Sequence, residues 1–376
     1  RSATGHGPAS GMRVLTVNAG SSSLKVSVVE GREATSATLD FVGHDRAATL
    51  RTALGQLGVE PTGLAAVVHR VVHGGERLTK PVLIDDDVMA QIAAVGELAP
   101  LHNDIALETM SAARGLIPDR PHVACFDTAF HAGLPEVATR YPVPAEWRTR
   151  SGIRRFGFHG LSVEWSVGRT AELLGRLVDQ LELVVAHLGS GCSVTAVSGG
   201  ASVWTSMGFT PLDGLMMRTR SGAIDPGILI HLLRRGALDV EELAAVLEHE
   251  SGLVGVGGGH GDVRDLERAA ADRDPDARLA LDMFAASAAA GIAAAASFLP
   301  RLDAVVFTGG IGEHAGPLRA RIVGRLGVLG VAPIDDGETG RDRVLTAGPP
   351  AVVRVEARED LVMARAATAL LARADD

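Results

Sequence analysis

Arg70 stands inside the apolar run VVHRVV at residues 67–72, and Asp127 ends the apolar run VACF at residues 123–126. A guanidinium in a buried strand needs an anionic partner, because charge taken out of water without one is strongly disfavoured. A structural carboxylate or a bound substrate anion would serve, and the segment alone leaves both open. The end of a buried strand is where α/β proteins commonly place functional groups, although aspartate is also an ordinary strand terminator. His159 follows Arg154 and Arg155 in GIRRFGFHG, residues 152–160, where a single histidine reads as a hydrogen-bonded structural group or as part of a site. Arg218 and Arg220 occur in TSMGFTPLDGLMMRTRSGAIDP, residues 205–226, whose Gly, Pro and Met make a poor regular element, so a binding loop is expected. In NAGSSSLK, residues 18–25, small residues would let a phosphate reach backbone amides while hydroxyls and Lys25 add donors. A plain surface hairpin has the same composition. FTGGIGE, residues 307–313, places glycines after an apolar strand, where an adenosine could pass close to the backbone.

The elements that must position these groups alternate between strands and helices. Residues 13–30 read as strand, polar turn and alternating strand, and residues 181–196 repeat that pattern. Such a duplication predicts two halves built alike, with turn amides facing one nucleotide across a cleft between domains. Further strands are expected at 65–68, 123–126, 304–308 and 351–355. Helices are expected at 47–57, 86–98, 105–114, 163–174, 240–247, 276–299, 317–326 and 359–374. The class is α/β. The glycine-rich run 255–261 follows no strand and lacks dinucleotide-binding spacing, and neither a Walker A sequence nor a G-x-S-x-G elbow is present.

A chain of 376 residues exceeds the size at which one core keeps growing, which predicts more than one domain. With 46% hydrophobic but only 3% aromatic residues, the packing must be aliphatic. The formal net charge of -9 disfavours nucleic acid and anionic membrane as partners, since both demand a basic face. Residues 283–299 carry no charge but are dominated by alanine, which predicts an internal helix in place of a membrane span. Cys125 and Cys192 are too few for a disulfide framework and read as reduced packing residues. Residues 1–11 have no apolar h-region, so a flexible extension and a cytoplasmic protein are expected.

Taken together, NAGSSSLK at 18, HRVVHGGE at 69, APLHN at 99, FDTAFH at 126, GIRRFGFHG at 152, HLGSG at 187, TPLDGLMMRTRSG at 210 and FTGGIGE at 307 resemble the acetate kinase family in order and spacing. The resemblance implies duplicated ribonuclease-H-like domains, as in actin, sugar kinases and Hsp70-type ATPases, with an interdomain ATP cleft and a homodimer. It places the first domain at 12–158, completed by about 363–376, and a nucleotide-binding domain at 159–362. It implies reversible, direct in-line transfer of the ATP γ-phosphoryl to acetate, with Mg2+ or Mn2+ as the metal. Asn18 and Glu359 would hold the metal, with Asp360 the alternative to Glu359, while Ser21, Ser23 and Lys25 line the phosphate region. Arg70 and Arg220 would grip the carboxylate and the moving phosphoryl, with His159 donating to its oxygens, Asp127 close by and His102 in support. Val72, Leu101, Phe158 and Pro211 would enclose the acyl methyl. The nucleotide (ATP or ADP) would lie against His187, Leu188, Gly189, Ser190, Gly191, Asp262, Val263, Arg264, Gly310, Ile311, Gly312, Glu313 and His314. A propionate or butyrate kinase, or a nucleotide-gated binding or chaperone module of the same fold, are the alternatives.

Overall fold

The computed structural model of the chain describes residues 12–20, 23–41, 45–335 and 341–374, apart from the side chains of residues 100, 101 and 374. It divides into two units, the first running to Ala132 and resuming at Arg358, the second spanning Gly133–Ala357.

In the first unit β1 (Arg13–Ala19), β2 (Ser23–Glu30) and β3 (Glu33–Asp40) form an antiparallel meander, and α1 (Arg46–Leu57) leads to β4 (Ala66–Val71), parallel to β1. The short β5 (Val82–Leu83), α2 (Asp86–Ala94) and α3 (Pro100–Leu116) precede β6 (His122–Phe126), which pairs parallel with β4 and antiparallel with β5. The resulting order is β3-β2-β1-β4-β6-β5. β1 and β4 are central and covered on both faces, hence their nearly unbroken apolar sequences. Strand alternation sends Leu15, Val17 and Val67 into a core with Leu50 and Ala53 of α1, and Ala124 and Phe126 into one with Ile92 and Met110. The intervening residues, among them Asn18 and Arg70, project from the opposite face.

The polar strand β3, EATSATLD, was not expected from the sequence because only its pairing with β2 from Ser23↔Asp40 to Glu30↔Glu33 holds it extended. α3 starts at Pro100, ahead of the expected 105, because proline suits the first helical position and Asn103 ties that turn to the backbone of His73.

The second unit opens with α4 (Glu136–Thr139), α5 (Ala145–Ser151) and α6 (Gly160–Leu174), followed by the meander β7 (Glu182–Leu188), β8 (Cys192–Ser198) and β9 (Ala201–Thr205). Helices α7 (Pro226–Arg234), α8 (Val240–Ala245), α9 (Gly252–Val256), α10 (Val263–Ala271) and α11 (Pro275–Ala296) come before β10 (Ala304–Thr308). α12 (Gly309–His314), α13 (Gly316–Val323), β11 (Arg343–Thr346) and β12 (Ala351–Arg354) complete it. Its order, β11-β12-β10-β7-β8-β9, repeats that of the first unit strand for strand, including the parallel β7–β10–β12 centre. The duplication read from the hairpins therefore extends to the whole sheet.

α11 is the one described helix long and apolar enough to cross a membrane, yet it packs on β7, β8, α9, α10 and α13 and buries Ala280, Leu281, Phe284, Ala288 and Ile292. A Cβ at Gly291 would come within 2.4 Å of Leu215, so small residues let this helix sit close to its neighbours, as expected.

The last helix, α14 (Glu359–Ala374), returns to the first unit and packs on β1, β2, β4 and β6 through Leu361, Val362, Met363 and Ala367. The boundaries expected at 158 and 362 lie instead at 132 and 357. Residues 133–158 are bonded into the second unit: Phe156 N donates to Gly208 O at 3.0 Å, Phe209 N to the Tyr141 hydroxyl at 2.9 Å, and Arg155 Nη1 to Ser206 O at 2.8 Å. Residues 1–11 lie outside the described residues.

Candidate active site

In the first unit, the face of the sheet covered by α14 carries a polar cluster. Asn18 from β1, Arg70 from β4 and Asp127 just after β6 all project from that face, and Glu359 opens α14 above them. Arg70 donates through Nε and Nη2 to both oxygens of Asp127, at 2.9 and 2.5 Å, and through Nη1 to Asn18 Oδ1 at 3.1 Å. Asn18 Nδ2 in turn donates to Glu359 Oε2 at 3.2 Å, and that oxygen lies 3.7 Å from Arg70 Nε. Burial alone would favour neutral Arg70, but the charges of Asp127 and Glu359 outweigh it and hold its pKa above the ordinary range.

Of the two partners left open for Arg70, the structure supplies the carboxylate. The same geometry separates Glu359 from Asp360: Glu359 joins the Asn18–Arg70 cluster, while buried Asp360 accepts from Arg358 Nε and Nη2 at 3.0 Å each. Lys25 is exposed and stands directly across the hairpin from Asn18, and Ser23 is half-buried at the start of β2. Ser21 lies outside the described residues, as does the side chain of Leu101. His102 is half-buried in the first turn of α3, and Val72 is buried in the loop after β4.

The second unit brings a different set together. His159 adopts a left-handed conformation, φ 58°, at the head of α6. Its Nδ1 lies 3.0 Å from Ser193 Oγ, and its ring stacks on His187 with centroids 4.1 Å apart. Ser193 faces His187 directly across the β7–β8 ladder, and Ser162, one turn into α6, sits 2.8 Å from His187 Nδ1. Two imidazoles and two serines thus close a ring, one link of it a cross-strand pair and another an i, i+3 helix step. With each Nδ1 engaged, the Nε2 atoms face glycines: a Cβ at Gly191 would lie 3.2 Å from His159 Nε2, and one at Gly309 would lie 3.1 Å from His187 Nε2. The Gly191 position is also 3.6 Å from Arg220 Nη1, so His159 and Arg220 converge on one bare stretch of backbone. Burial makes the Arg220 charge less favourable, with Glu248 partly compensating, and also pushes the Cys192 thiol up to about 12. Cys125 and Cys192 are both buried and neither is in a disulfide.

Beside this ring is a cavity of about 460 Å³ lined by Gly189, Ser190, Gly310 and Ile311 on one side, and by Asp262, Val263 and Arg264 on another, with His314. These belong to the residues expected against a nucleotide. Arg218, from the loop expected to bind, also lines it, together with Gly261, Glu267 and Ala315, which were not anticipated. Asp262 caps α10 and pairs with Arg264 at 2.6 Å, whose hydrogen bond draws the carboxyl down to about 2. Other expected contacts have structural work of their own. Gly312 O accepts from Arg319 at 2.7 Å, buried Glu313 accepts from Ala357 N at 3.0 Å, and Leu188 is buried at the end of β7. Phe158 is buried in the second unit, and Pro211 O accepts from Arg220 at 3.4 Å. Ser162 and Ser193 were missed by sequence reasoning, although the three-residue step from His159 to Ser162 was a usable signal.

The profile of the Acetokinase family matches residues 44–365. An acetate kinase of Deinococcus radiodurans is 42% identical over 386 residues, covering 94% of this chain and 97% of the relative. Among solved structures, Porphyromonas gingivalis acetate kinase superposes with a TM-score of 0.86 at 30% identity, covering 96% of this chain and 100% of its own. A Francisella tularensis propionate kinase gives 0.82 at 32% identity, covering 94% and 98%. A duplicated sheet, a polar cluster beneath α14 and a histidine–arginine site beside a glycine-lined cavity thus occur in a chain that matches this profile along most of its length, and the chain belongs to the acetokinase family.

Proposed function

We propose that this phosphotransferase moves the γ-phosphoryl group of ATP reversibly and directly onto acetate, giving acetyl phosphate and ADP. The observation that carries the reading is the convergence of His159 and Arg220 on Gly191, beside the cavity lined by Gly189, Ser190 and Gly310. Acetate is already ionised at neutral pH, so its attack needs no strong base. What opposes the reaction is the approach of one anion to another, and positive groups held in fixed positions offset that repulsion. Arg220 and the Nε2–H of His159 suit the developing charge on the phosphoryl oxygens, and His187 suits the phosphate chain. Glycine backbone leaves room for phosphate to reach amides.

Arg70 spends its Nε–H and one hydrogen of each terminal nitrogen on Asp127 and Asn18, leaving one N–H on each terminal nitrogen for the acetate carboxylate. Asp127, committed to Arg70 through both oxygens, serves as an orienting group and not as a base. The described residues include no group of three His, Cys, Asp or Glu side chains spaced for a metal. Mg2+ (or Mn2+) fits here all the same, since it needs few protein carboxylates when phosphates and water complete its shell. Glu359 and Asn18, with Asp127, would hold it, and when bound it would neutralise phosphate charge. A homodimer located in the cytoplasm, without nucleic-acid or membrane partners, completes the proposal and accords with the net charge of -9.

Trapping acyl phosphate with hydroxylamine, in parallel reactions with acetate, propionate and butyrate, tests it. Acetate should be preferred. Preference for propionate, the substrate named for the Francisella relative, would replace acetate in this reading, and ATP hydrolysis indifferent to any short carboxylate would overturn it.

A further inference from the structure

β9 ends at Thr205 and α7 begins at Pro226, and the residues between them form neither helix nor strand. This loop carries Arg220, and with no ladder to fix it, its shape depends on turn bonds and side chains. The chain's single tyrosine, Tyr141, meets it at one point. The Tyr141 hydroxyl accepts from Phe209 N at 2.9 Å and donates to Asp213 Oδ2 at 3.3 Å. Phe209 and Asp213 flank Pro211 at equal distance along the chain, so one oxygen atom closes the turn 209–213 with Pro211 at its middle. The Pro211 carbonyl in turn accepts from Arg220 Nη1 at 3.4 Å.

Tyr141 is itself held from both sides. Arg155 lies over its ring, 5.3 Å from guanidinium carbon to centroid. The same guanidinium donates to Ser206 O at 2.8 Å and stands 3.4 Å from Asp213 Oδ2, while Asp213 Oδ1 accepts from Gly214 N at 2.8 Å. Gly208 is drawn against the pair: a Cβ there would run into both the Tyr141 hydroxyl and the Asp213 carboxylate. Burial is the main cause that raises the Tyr141 phenol above its ordinary value, with Arg155 opposing it and Asp213 adding to it. The group is therefore a protonated hydroxyl at neutral pH, as a donor to Asp213 must be.

A phenylalanine would fill the same space beneath Arg155. What the hydroxyl adds is the bridge from the Phe209 amide to the Asp213 carboxylate. The segment that supplies Tyr141 also leads into the other reacting side chain: Phe156 N donates to Gly208 O at 3.0 Å, and His159 follows shortly after. We infer that Tyr141 is a positioning residue, whose hydroxyl fixes Pro211 and, through the Pro211 carbonyl, the guanidinium of Arg220. The effect on turnover rests on Arg220 acting in the reaction proposed above; the bridging of the loop does not.

The test compares the unaltered protein with Tyr141→Phe, Asp213→Asn and the double variant by circular dichroism, hydrogen exchange read by mass spectrometry, and acetyl phosphate formation. Tyr141→Phe should keep its helix content. Its amides at 206–223 should exchange about tenfold faster than in the unaltered protein, while α6 and α11 exchange as before. Its kcat should drop about tenfold with KM for ATP within about twofold. Asp213→Asn should lower kcat as well, and because both side chains act through one bridge, the double variant should lose no more than the weaker of the two single variants. Unchanged exchange in the loop, or full kcat in Tyr141→Phe, would overturn the inference. So would losses that multiply in the double variant, or faster exchange throughout the second unit, which would make Tyr141 a packing residue. Faster loop exchange in Tyr141→Phe, where even the unaltered protein makes no acyl phosphate, would count against the acetate reading while supporting the bridge.

Discussion

Arg70 and Asp127 meet as a fork on a fork, with Nε and Nη2 each donating to a separate carboxylate oxygen. Their side chains are only 16% and 1% exposed, so each holds the other's charge in a place where neither is stable alone. Asp127→Ala should therefore lower stability by about 3–5 kcal/mol. Arg70→Lys, which cannot fork, should leave the fold intact yet reduce kcat by about 10²–10³. Urea denaturation with acyl phosphate assays would separate the two, and an Asp127→Ala protein as stable as the parent would refute the pairing.

Glu359 and Asp360 are neighbours with different partners, which makes them a matched comparison. Glu359→Gln should raise the Mg2+ concentration needed for half-maximal activity by about tenfold or more, with little change in melting. Asp360→Asn weakens the bond to Arg358 and should lower the melting temperature while leaving the Mg2+ requirement alone. Reversal of that pattern would exchange their roles.

A methyl group at Gly191 would press on the His159 ring, 3.2 Å from Nε2, and touch Arg220 at 3.6 Å. Gly191→Ala should push the His159 ring by a few tenths of an ångström and cut kcat by about 3–10-fold, since small misplacements at a reacting centre are costly. Wild-type turnover in that variant would place the reacting groups elsewhere.

Ser193 holds His159 through Nδ1 and thereby selects the orientation of its ring. Ser193→Ala should reduce kcat more than KM and shift the pH profile of turnover, whereas Ser193→Thr, which keeps a hydroxyl, should recover part of the loss. Equal effects of both substitutions would mean that Ser193 is only a packing residue.

His69 and His122 form a buried pair in the first unit, 3.0 Å apart between Nε2 and Nδ1, with His122 Nε2 also 3.0 Å from Ile117 O. Burial is the main cause that draws both pKa values below the usual one, and the neighbouring histidine adds to it for His69. Because the unfolded chain binds protons more readily, the pair's contribution is complete above about pH 6.5 and is lost as pH falls through the folded values. Melting temperature should accordingly drop on acidification below that pH, and less steeply in His69→Gln. A melting temperature that rises on acidification would contradict this.

Much of this molecule is legible in its order of residues. Apolar runs at 14–17, 67–72 and 183–186 fill central strands because only strands covered on both faces tolerate them, and the two hairpins announce the duplication. The motifs at Asn18, Arg70, Asp127, His159 and Arg220 name the family. Polar β3 was not legible, because its shape comes from its pairing with β2. The residues 133–158 could not be assigned to a unit without the hydrogen bonds that tie them to Gly208 and Asp213.

What the sequence determined by itself is the set of chemical groups and the elements that carry them, since periodicity and turn chemistry are local properties. Which carboxylate meets Arg70, which of Glu359 and Asp360 joins Asn18, and which serines hold the two histidines were decided only by the tertiary structure. Each is a contact between residues distant in the chain, and strand parity allows several candidates until the sheet order and the returning helix select one.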